Sequence, residues 1–524
     1  MNDIILGSCP TSSLPTKVNP SNPDTIPKFS DELPRPILAK PCKKVDGYDY
    51  YEIEMRAAYH SFHKNFPRTS IWGYNGLYPG PTIEVNKDET ILVKWINNLP
   101  EKHFLPVDLT LHGAIDSPEV RTVVHLHGAN VAPDSDGHPN AWFTKNYQYT
   151  GSTFAREVYK YTNHQQGTTL WYHDHAVGIT RLNVYAGLAG FYLIRDKMEE
   201  RLELPQGRYE IPIMIQDKSF NEDGSLFYPD APPFPVDVKP SVIPAFNGNT
   251  IVVNGKVWPY LNVEPRKYRF RLLNGSNTNA YELKFENDLE FYQIGTDGGF
   301  LEQSVKVTSI LLEPAERADI IVDFSNYFGQ RIVLQNTLDQ GLHTGVIMQF
   351  RVELPLRGKD NSKIPDKIYH IHRLKEEMAA QVRELTLSAN TDEFGRPMLL
   401  LDNKMWSDPV TETPAYDTIE VWNIVNLTAF PHPIHVHLVQ FLILDRRPFD
   451  IEKYQDTGEI IYTGPPIPPA EYENGWKDTV RAEAGMVTRI IMHFKDHAGD
   501  YVWHCHILEH EDHDMMRPMR VIKP

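Results

Sequence analysis

Apolar and polar residues alternate along much of this chain with the period of two that is typical of half-buried β-strands. Residues 82–85 and 90–97 both alternate in this way, and the four polar residues between them mark a turn. Long stretches with helical periodicity are rare, and proline, at 41 of 524 residues, recurs in dipeptides that favour turns. The pattern therefore predicts an all-β protein.

The two ends of the chain carry the same order of predicted strands, which indicates two copies of one β module. Each copy has one alternating strand followed by two apolar strands that end in histidines, at 82–85, 123–128 and 167–175 in the first copy and at 418–422, 432–437 and 499–506 in the last. Residues 251–255 and 268–274 repeat the strand-turn-strand pattern between them, but only His343 falls in that middle part. A third module without a metal site of this kind is the expectation there.

This organisation predicts three β-sandwich domains with Greek-key connections. The predicted boundaries are 1–197 for the first domain, 198–353 for the second, 354–384 for a linker and 385–524 for the third. The first domain includes an irregular amino-terminal arm, up to about residue 45, that we expect to lie over that domain. The linker contains prolines and a charged run, and we expect it to cross back and to be partly helical.

Charge and composition exclude several classes of partner. The formal net charge of −17 disfavours nucleic acid and anionic membrane surfaces, and the absence of ~18 consecutive apolar residues predicts no membrane span. The first nine residues lack the basic start and the apolar run of an export signal, so we expect synthesis in the cytoplasm. Cys9, Cys42 and Cys505 are too few for a disulfide framework, and at most Cys9 and Cys42 could pair.

The motif His-x-His occurs five times, and four of the pairs end apolar strand patterns. Two residues apart on a strand, both imidazoles of a pair face the same side. These eight histidines are His125, His127, His173, His175, His435, His437, His504 and His506. Together they can enclose a cluster of metal ions, and imidazole suits copper, zinc or iron. The fifth pair, His370 and His372, lies in the predicted linker without a repeat partner, and we interpret it as structural.

A second metal site is predicted on the opposite face of the last strand, where Cys505 lies between His504 and His506. The imidazoles of His432 and His510 and a thioether from Met515 or Met516 complete a set typical of blue copper. One short strand can therefore touch two metal sites.

Two carboxylates lie near the predicted ligands in the sequence. Glu511 follows His510, and Asp136 lies in a turn shortly after His127. Because the reduction of dioxygen consumes protons, either acid could relay them, although an acid in a turn commonly serves the turn itself.

These motifs together resemble the multicopper oxidases, and in detail they are most similar to the bacterial spore-coat laccases. The resemblance rests on the four histidine pairs, on 432–437 and 504–516, and on 125–128, 171–175, 445–451 and 475–479. It implies three cupredoxin-like domains and four copper ions, with a type 1 copper in the third domain and a trinuclear cluster between the first and third.

Position by position, the resemblance implies a ligand set for each copper. The type 1 copper would take His432, Cys505 and His510, with Met515 as the axial ligand. The type 2 copper would take His125 and His435, and the two type 3 ions would take His127, His173 and His506 and His175, His437 and His504. Asp136 and Glu511 match the family's proton-relay acids. One departure is that residues 428–431 lack the arginine expected beside the donor site.

The function implied is that of a laccase in which Cys505, His510, Glu511 and Asp136 take part in catalysis. The expected partners are a small aromatic reducing substrate and dioxygen, with no nucleic acid and no membrane, and the chain is expected to be a monomer, associated with a spore coat only by resemblance. Alternatives are an oxidase of metal ions, which the 13 methionines without a methionine-rich run disfavour, a bilirubin oxidase-like activity, and a structural copper-binding coat protein.

Overall fold

The computed structural model of the protein describes residues 20–523. These residues form six β-sheets, and each successive third of the chain contributes two of them. The predicted all-β class is confirmed, whereas the exact domain boundaries stay predictions. Cys9 lies outside the described residues, and Cys42 is exposed.

The first pair of sheets contains nine strands. Their bounds are β1 (Lys43–Val45), β2 (Tyr48–His60), β3 (Thr69–Tyr74), β4 (Gly80–Asn86), β5 (Ile91–Asn98), β6 (Val124–His127), β7 (Val158–Tyr161), β8 (Thr168–Asp174) and β9 (Ala189–Arg195). One sheet has the order β1-β2-β5-β7, with β3 beside β2, and the other has the order β4-β9-β8-β6. In β5, Ile91, Val93 and Trp95 are buried as the alternation predicts.

The second pair of sheets occupies the middle of the chain. Its strands are β10 (Glu210–Phe220), β11 (Leu226–Phe227), β12 (Thr250–Val253), β13 (Lys256–Val257), β14 (Tyr260–Asn262), β15 (Lys267–Asn274), β16 (Tyr281–Phe285), β17 (Phe291–Thr296), β18 (Gly299–Val307), β19 (Ser309–Leu312), β20 (Arg317–Asp323), β21 (Arg331–Asn336) and β22 (Val346–Arg351). One sheet follows β13-β12-β10-β15-β20-β17-β18, with β11 beside β10, and the other follows β14-β22-β21-β16-β19.

The third pair of sheets repeats the plan at the carboxyl end. Its strands are β23 (Ala379–Thr391), β24 (Pro397–Leu401), β25 (Thr418–Asn426), β26 (His432–Val436), β27 (Phe441–Pro448), β28 (Thr479–Ala482), β29 (Met486–Phe494), β30 (Gly499–Cys505) and β31 (Met516–Val521). The sheets have the orders β24-β23-β25-β29-β27 and β28-β26-β30-β31. The second of these sheets carries two of the histidine pairs.

Four short α-helices join the strands: α1 (Thr180–Ala186), α2 (Met198–Leu202), α3 (Ile451–Thr457) and α4 (Leu508–Asp512). Helix α4 is buried and packs on α1, because the Asp512 carboxylate accepts hydrogen bonds from the backbone N–H groups of Thr180, at 3.0 Å, and Arg181, at 2.9 Å. Within residues 20–523, no helix has the length and apolar character needed to cross a bilayer.

The amino-terminal arm takes a different path from the one expected. Residues 20–42 are irregular, but much of their length runs along the middle sheets, where Phe29 N donates to Trp258 O at 2.8 Å and Leu33 N donates to Tyr260 O at 2.7 Å. Contact with the first domain comes later, where Leu38 forms a bridge with Thr82. The prediction that the arm lies over the first domain is therefore wrong for this part, because the backbone oxygens of Trp258 and Tyr260 accept hydrogen bonds from the arm.

The predicted linker contains no α-helix among its described residues. Its charged run forms only a single 3₁₀ turn, Glu376–Met378, and residues from Ala379 onward already belong to β23, which pairs in parallel with β25. Ile368 N donates to Glu302 O at 2.9 Å, so the backbone bonds with β18 instead of with its own next turn. These outside partners explain why the predicted helical character of the linker is limited to this one 3₁₀ turn.

A buried carboxylate joins all three thirds of the chain. Asp108 Oδ2 accepts hydrogen bonds from Val242 N at 2.8 Å and from Arg396 Nη1 at 2.6 Å. Its other oxygen accepts from Thr110 N and Thr110 Oγ1. Asp108 has no exposed side-chain area and Arg396 has 3%, so this junction is shielded from water.

Candidate metal centres

The four histidine pairs converge on one buried space between the first and third pairs of sheets. Register places His125 on β6 opposite His173 on β8, and His435 on β26 opposite His504 on β30. Each strand ends at this point, and the second histidine of three pairs follows the strand directly. All eight side chains are buried.

The ligand atoms of these histidines fall into groups that lie within 4.8 Å of one another. The three all-histidine groups are His125, His127 and His435; His127, His173 and His506; and His175, His437 and His504. Each group mixes side chains from both ends of the chain. The space they enclose therefore exists only when the first and third domains are docked.

In most of these rings, one nitrogen has a hydrogen-bond partner and the other has none among the described residues. Nδ1 donates to a backbone oxygen in His125 (Asp136, 2.7 Å), in His173 (Asp174, 2.8 Å) and in His435 (Asp478, 2.7 Å). Nε2 of these three rings has no hydrogen-bond partner anywhere in the described chain. Buried nitrogens that are left without partners are costly, and a metal ion satisfies them.

A second observation also fits a cation. Nε2 of His504 lies 3.2 Å from Nε2 of His175 and 3.3 Å from Nε2 of His437. Lone pairs facing each other at this distance repel unless a proton or a metal ion lies between them. The three rings are therefore arranged as ligands are.

Burial keeps these rings in the neutral form that binds metals. Desolvation, together with the nearby imidazoles, holds the pKa of His125, His175 and His437 well below the ordinary value of 6.5. Burial likewise lowers the pKa of His173 and of His432 to about 3. Neutral imidazole is the ligating species, so the site is ready for a metal at neutral pH.

The other face of β30 holds a second group. Sγ of Cys505 lies 3.5 Å from Nδ1 of His432 and 3.6 Å from Nδ1 of His510. Burial raises the pKa of the Cys505 thiol above its ordinary value, so a bound cation must displace the thiol proton. A thiolate and two imidazoles are a donor set that suits copper.

The structure distinguishes the two methionines that the sequence left open. Met515 is buried in the same apolar cluster as Cys505, and its carbonyl accepts a hydrogen bond from Cys505 N at 3.0 Å. Met516 begins β31 and packs in another cluster with Trp406. Met515 is therefore the thioether on the Cys505 side.

His510 is almost inaccessible to solvent. Its side chain is only 5% exposed, and it lies on the buried helix α4. The ring of Phe430, 43% exposed, lies 5.9 Å from the His510 ring and 5.0 Å from the His432 ring. Phe430 thus occupies the surface above both imidazoles, in the segment where an arginine was expected.

Both predicted acids reach the histidine cluster. Asp136 Oδ2 accepts from Nδ1 of His437 at 2.7 Å, and burial raises the pKa of Asp136 above its ordinary value. Glu511 lies 3.1 Å from Nδ1 of His504 and 3.3 Å from Nδ1 of His175. Neither oxygen of Glu511 has a partner with hydrogen-bond geometry in the part of the chain that the structure describes, so this carboxylate is open to a water molecule or a proton.

Two further features concern histidines outside the large cluster. Pro433, next to His432, lies within the strand ladder, where it pairs with Arg481 on β28. The odd spacing of His432 from His435 already turns the two rings to opposite faces. His370 is largely exposed, and neither it nor His372 joins any of the metal-binding groups found among the described residues.

Sequence reasoning missed several residues that hold the ligands. Asp478 contacts His127 and His435, Arg317 holds Asp478, and Thr428 Oγ1 lies 2.9 Å from Nε2 of His432. Asp478 lies in segment 475–479, which carries part of the family resemblance, but no pattern in the sequence indicates that its side chain contacts a ligand. The residues around Arg317 contain no motif that indicates a role near a metal site.

Comparisons with known proteins agree with this geometry. Residues 56–120 and 106–199, 231–349 and 375–524 match sequence families described as multicopper oxidase. The chain belongs to the multicopper oxidase family. It is a copper-dependent oxidase with dioxygen as its electron acceptor, and its domains are of the predicted cupredoxin type.

Individual relatives cover nearly the whole chain. A laccase from Bacillus subtilis (strain 168) is 54% identical, with 95% of this chain and 99% of the relative aligned. A laccase from Bacillus stratosphericus is 55% identical over 95% of this chain and 100% of its own length. The crystal structure of a multi-copper oxidase from Pediococcus acidilactici superposes with a TM-score of 0.77 at 28% identity and covers 95% of this chain and 93% of that one.

Proposed function

We propose that this chain is a laccase-type oxidase that takes single electrons from phenols or aromatic amines and reduces dioxygen to water. The observation that carries the proposal is the position of Cys505, next in the chain to His504 and His506 but facing the separate group of His432 and His510. A storage protein needs no such connection between two sites. The two Bacillus relatives named laccase support the same assignment.

The proposed copper ligands follow the groups described above. The type 1 copper would be held by His432, Cys505, His510 and Met515. The type 2 copper would be held by His125 and His435, and the type 3 pair by His127, His173 and His506 and by His175, His437 and His504. Two observations support this set: several of these rings have a nitrogen without a hydrogen-bond partner in the described chain, and the ligand atoms of each group lie within 4.8 Å of one another.

When bound, copper supplies the one-electron chemistry through which four electrons and four protons convert one dioxygen to two waters. The chain provides the route between the sites, since one peptide segment, His504 to His506, contributes to both. Cys505 and its neighbours are buried, which excludes water from that route.

Protons reach the buried cluster through residues of the chain. We assign this role to Asp136, which contacts Nδ1 of His437, and to Glu511, which lies beside His175 and His504. A carboxylate without a hydrogen-bonding partner in a buried site is suited to exchange protons with water. The two acids approach the cluster from different domains.

The donor would meet the protein at Phe430 and His510. The exposed phenyl ring offers a flat apolar surface to an aromatic substrate, and the His510 ring lies 5.9 Å from it. We propose a monomer with the domain boundaries given above, no nucleic-acid or membrane partner, and a spore-coat location by resemblance alone.

Oxygen uptake by protein of measured copper content tests the proposal. A phenol is expected to be oxidised faster than cuprous, ferrous or manganous ions, with bilirubin as a further donor. Faster turnover of one metal ion than of any phenol would instead favour the metal-ion oxidase. No oxygen uptake with all four coppers bound would favour a structural coat protein.

A further inference from the structure

Asp478, just before β28, contacts two stacked imidazoles, one through its backbone oxygen and the other through its side chain. Its backbone oxygen accepts a hydrogen bond from Nδ1 of His435 at 2.7 Å, while its side-chain Oδ1 lies 3.0 Å from Nε2 of His127. The two rings lie 3.7 Å apart with an interplanar angle of 16°. One residue therefore binds different nitrogens of two parallel rings that come from the first and third domains.

As a result, the His127 ring is inverted relative to the His435 ring, because a different ring nitrogen is left without a partner in the described chain. His435 keeps Nε2 without a partner, as His125 and His173 do, whereas in His127 the nitrogen without a partner in the described chain is Nδ1. A carboxylate only accepts hydrogen bonds, so Nε2 of His127 must carry the proton that faces Asp478. That leaves the lone pair on Nδ1, the nitrogen without a partner in the described chain, available to a metal ion.

Asp478 is itself fixed by an arginine of the second domain. Arg317, the first residue of β20, donates to both carboxylate oxygens of Asp478, with Nη1 to Oδ1 at 2.8 Å. Its remaining donors are also engaged, since Nε bonds Thr169 O at 2.9 Å and Nη1 bonds Ala315 O at 2.8 Å. Both side chains are fully buried. A bidentate arginine–carboxylate pair fixes the orientation of the carboxylate as well as its distance from the guanidinium. The Asp478 carboxylate therefore stays directed toward His127.

We propose that Arg317 and Asp478 are positioning residues that select Nδ1 of His127 as its metal-binding nitrogen. The second domain, which contributes no residue to the proposed ligand set, then takes part in building the copper cluster. This inference rests on the proposed assignment of His127 as a type 3 ligand. Partners of this kind orient ligands in many metal sites, and losing one typically weakens metal binding about 10- to 100-fold.

Asp478→Asn is the sharpest variant because its shape is unchanged. The amide has one oxygen, and both Arg317 and His127 need an acceptor. If the amide oxygen takes the place of Oδ2, opposite Nη2 of Arg317, the NH₂ group takes the place of Oδ1, where it faces Nε2 of His127 and favours the proton on Nδ1, the nitrogen that must bind the metal. We expect the chelator concentration that removes half of the cluster copper to fall by about 10- to 100-fold.

The type 1 site is the internal control within the same molecule. Its proposed ligands His432, Cys505 and His510 make no hydrogen bond with Asp478 or Arg317 in the described structure. The visible type 1 band is therefore expected to persist while the near-ultraviolet type 3 absorption and the paramagnetic resonance spectrum of the type 2 copper change.

A matched pair of arginine variants tests the second domain. Arg317→Lys keeps the charge but loses the two-pronged contact, and we expect a loss of cluster copper in the same direction as for Asp478→Asn. Arg271→Lys is the control, because Arg271 is equally buried, lies in the same domain and bonds Thr169 Oγ1 at 3.0 Å. Its acid partner Glu210, however, forms no hydrogen bond or ion pair with a histidine of the described chain. Arg271→Lys is expected to retain wild-type cluster copper.

The inference is overturned if Asp478→Asn and Arg317→Lys both keep wild-type copper release and spectra, or if Arg271→Lys loses cluster copper as readily as Arg317→Lys. Should Asp478→Asn fail to fold, the two arginine variants decide. His127→Ala separates this failure from that of the proposed ligands, because full cluster copper in that variant would remove His127 from the ligand set.

Discussion

The junction at Asp108 predicts that a single carboxylate oxygen contributes measurably to the docking of the three domains. Oδ2 accepts from Val242 N of the second domain and from Arg396 of the third. In Asp108→Asn the amide keeps the shape, and if its oxygen stays with Thr110, the NH₂ group faces two donors. We expect the variant to fold its individual sheets but to dock its domains less tightly.

The size of the effect follows from the contacts. Removing one partner of a buried ion pair costs about 3–5 kcal/mol, and Arg396 retains a second carboxylate, Asp392, at 2.7 Å. The lower end of this range, about 3 kcal/mol, is therefore expected, which corresponds to a roughly 100-fold change in the docking equilibrium. An exposed pair such as Arg331 with Glu353 contributes at most about 1 kcal/mol, so Glu353→Gln is the control.

The effect should also depend on pH. Burial by itself raises the pKa of Asp108, but hydrogen bonds from Thr110 and Val242 and the charge of Arg396 outweigh it, and the pKa lies below its ordinary value. The contribution of the carboxylate is thus fully present above the unfolded pKa of about 3.9 and is lost as the pH falls through the lower folded pKa. The stabilities of wild type and variant should therefore begin to converge as the pH falls below about 4, and they should become equal only below the folded pKa.

A urea titration followed by two signals provides the assay. The near-ultraviolet absorption reports the cluster between domains, and the visible band reports the Cys505 site inside the third domain. At pH 7 the variant should lose the first signal at lower urea than wild type, with a smaller change in the second. Equal midpoints for wild type and Asp108→Asn at pH 7 would refute the reasoning.

Three further predictions concern the proposed catalytic residues. Cys505→Ser should abolish the visible band and turnover while type 2 and type 3 copper stay bound, and retained dye oxidation would rule out the route through Cys505. Phe430→Ala should raise KM for planar phenols by about three- to tenfold, because an aromatic contact contributes about 0.5–1.5 kcal/mol. KM for ferrous ion, which makes no such contact, should stay constant. An equal change in KM for both donors would show that Phe430 is not part of the donor site. Glu511→Gln should slow oxygen reduction by about 10²- to 10⁴-fold, whereas a donor should bleach the type 1 band at the wild-type rate. Oxygen uptake measures the first rate and stopped-flow absorbance measures the second. Oxygen uptake at the wild-type rate would rule out the proton role of Glu511.

Local patterns in the sequence predicted the parts of this protein that depend on strand geometry. Alternation with period two placed His504 and Cys505 on opposite faces, and the end of each strand located the histidine pairs. The same reasoning predicted the three successive β modules. These features depend only on neighbouring residues, so a single sequence reveals them.

Features that depend on distant contacts were not predictable in this way. Arg317 and Asp478 are 161 residues apart in the chain, and nothing near either residue indicates that they pair. The nitrogen that each imidazole directs toward the cluster is also set by such contacts, as the inverted ring of His127 demonstrates. The paths of the amino-terminal arm and of the linker also depend on distant contacts, because both segments form backbone hydrogen bonds with strands far away in the sequence, β14 and β18.

The single-residue spacing in β30 also limits how this region can change through evolution. Side chains alternate between faces, so one residue inserted between Val502 and His504 would turn the thiol toward the histidine cluster and the imidazoles toward the other group. Substitutions outside His504, Cys505 and His506 that keep the length preserve the direction of these three side chains, whereas any odd insertion or deletion reverses it. Among functional homologues, the residues before His504 are therefore expected to vary in side chain, while the length of this stretch stays constant.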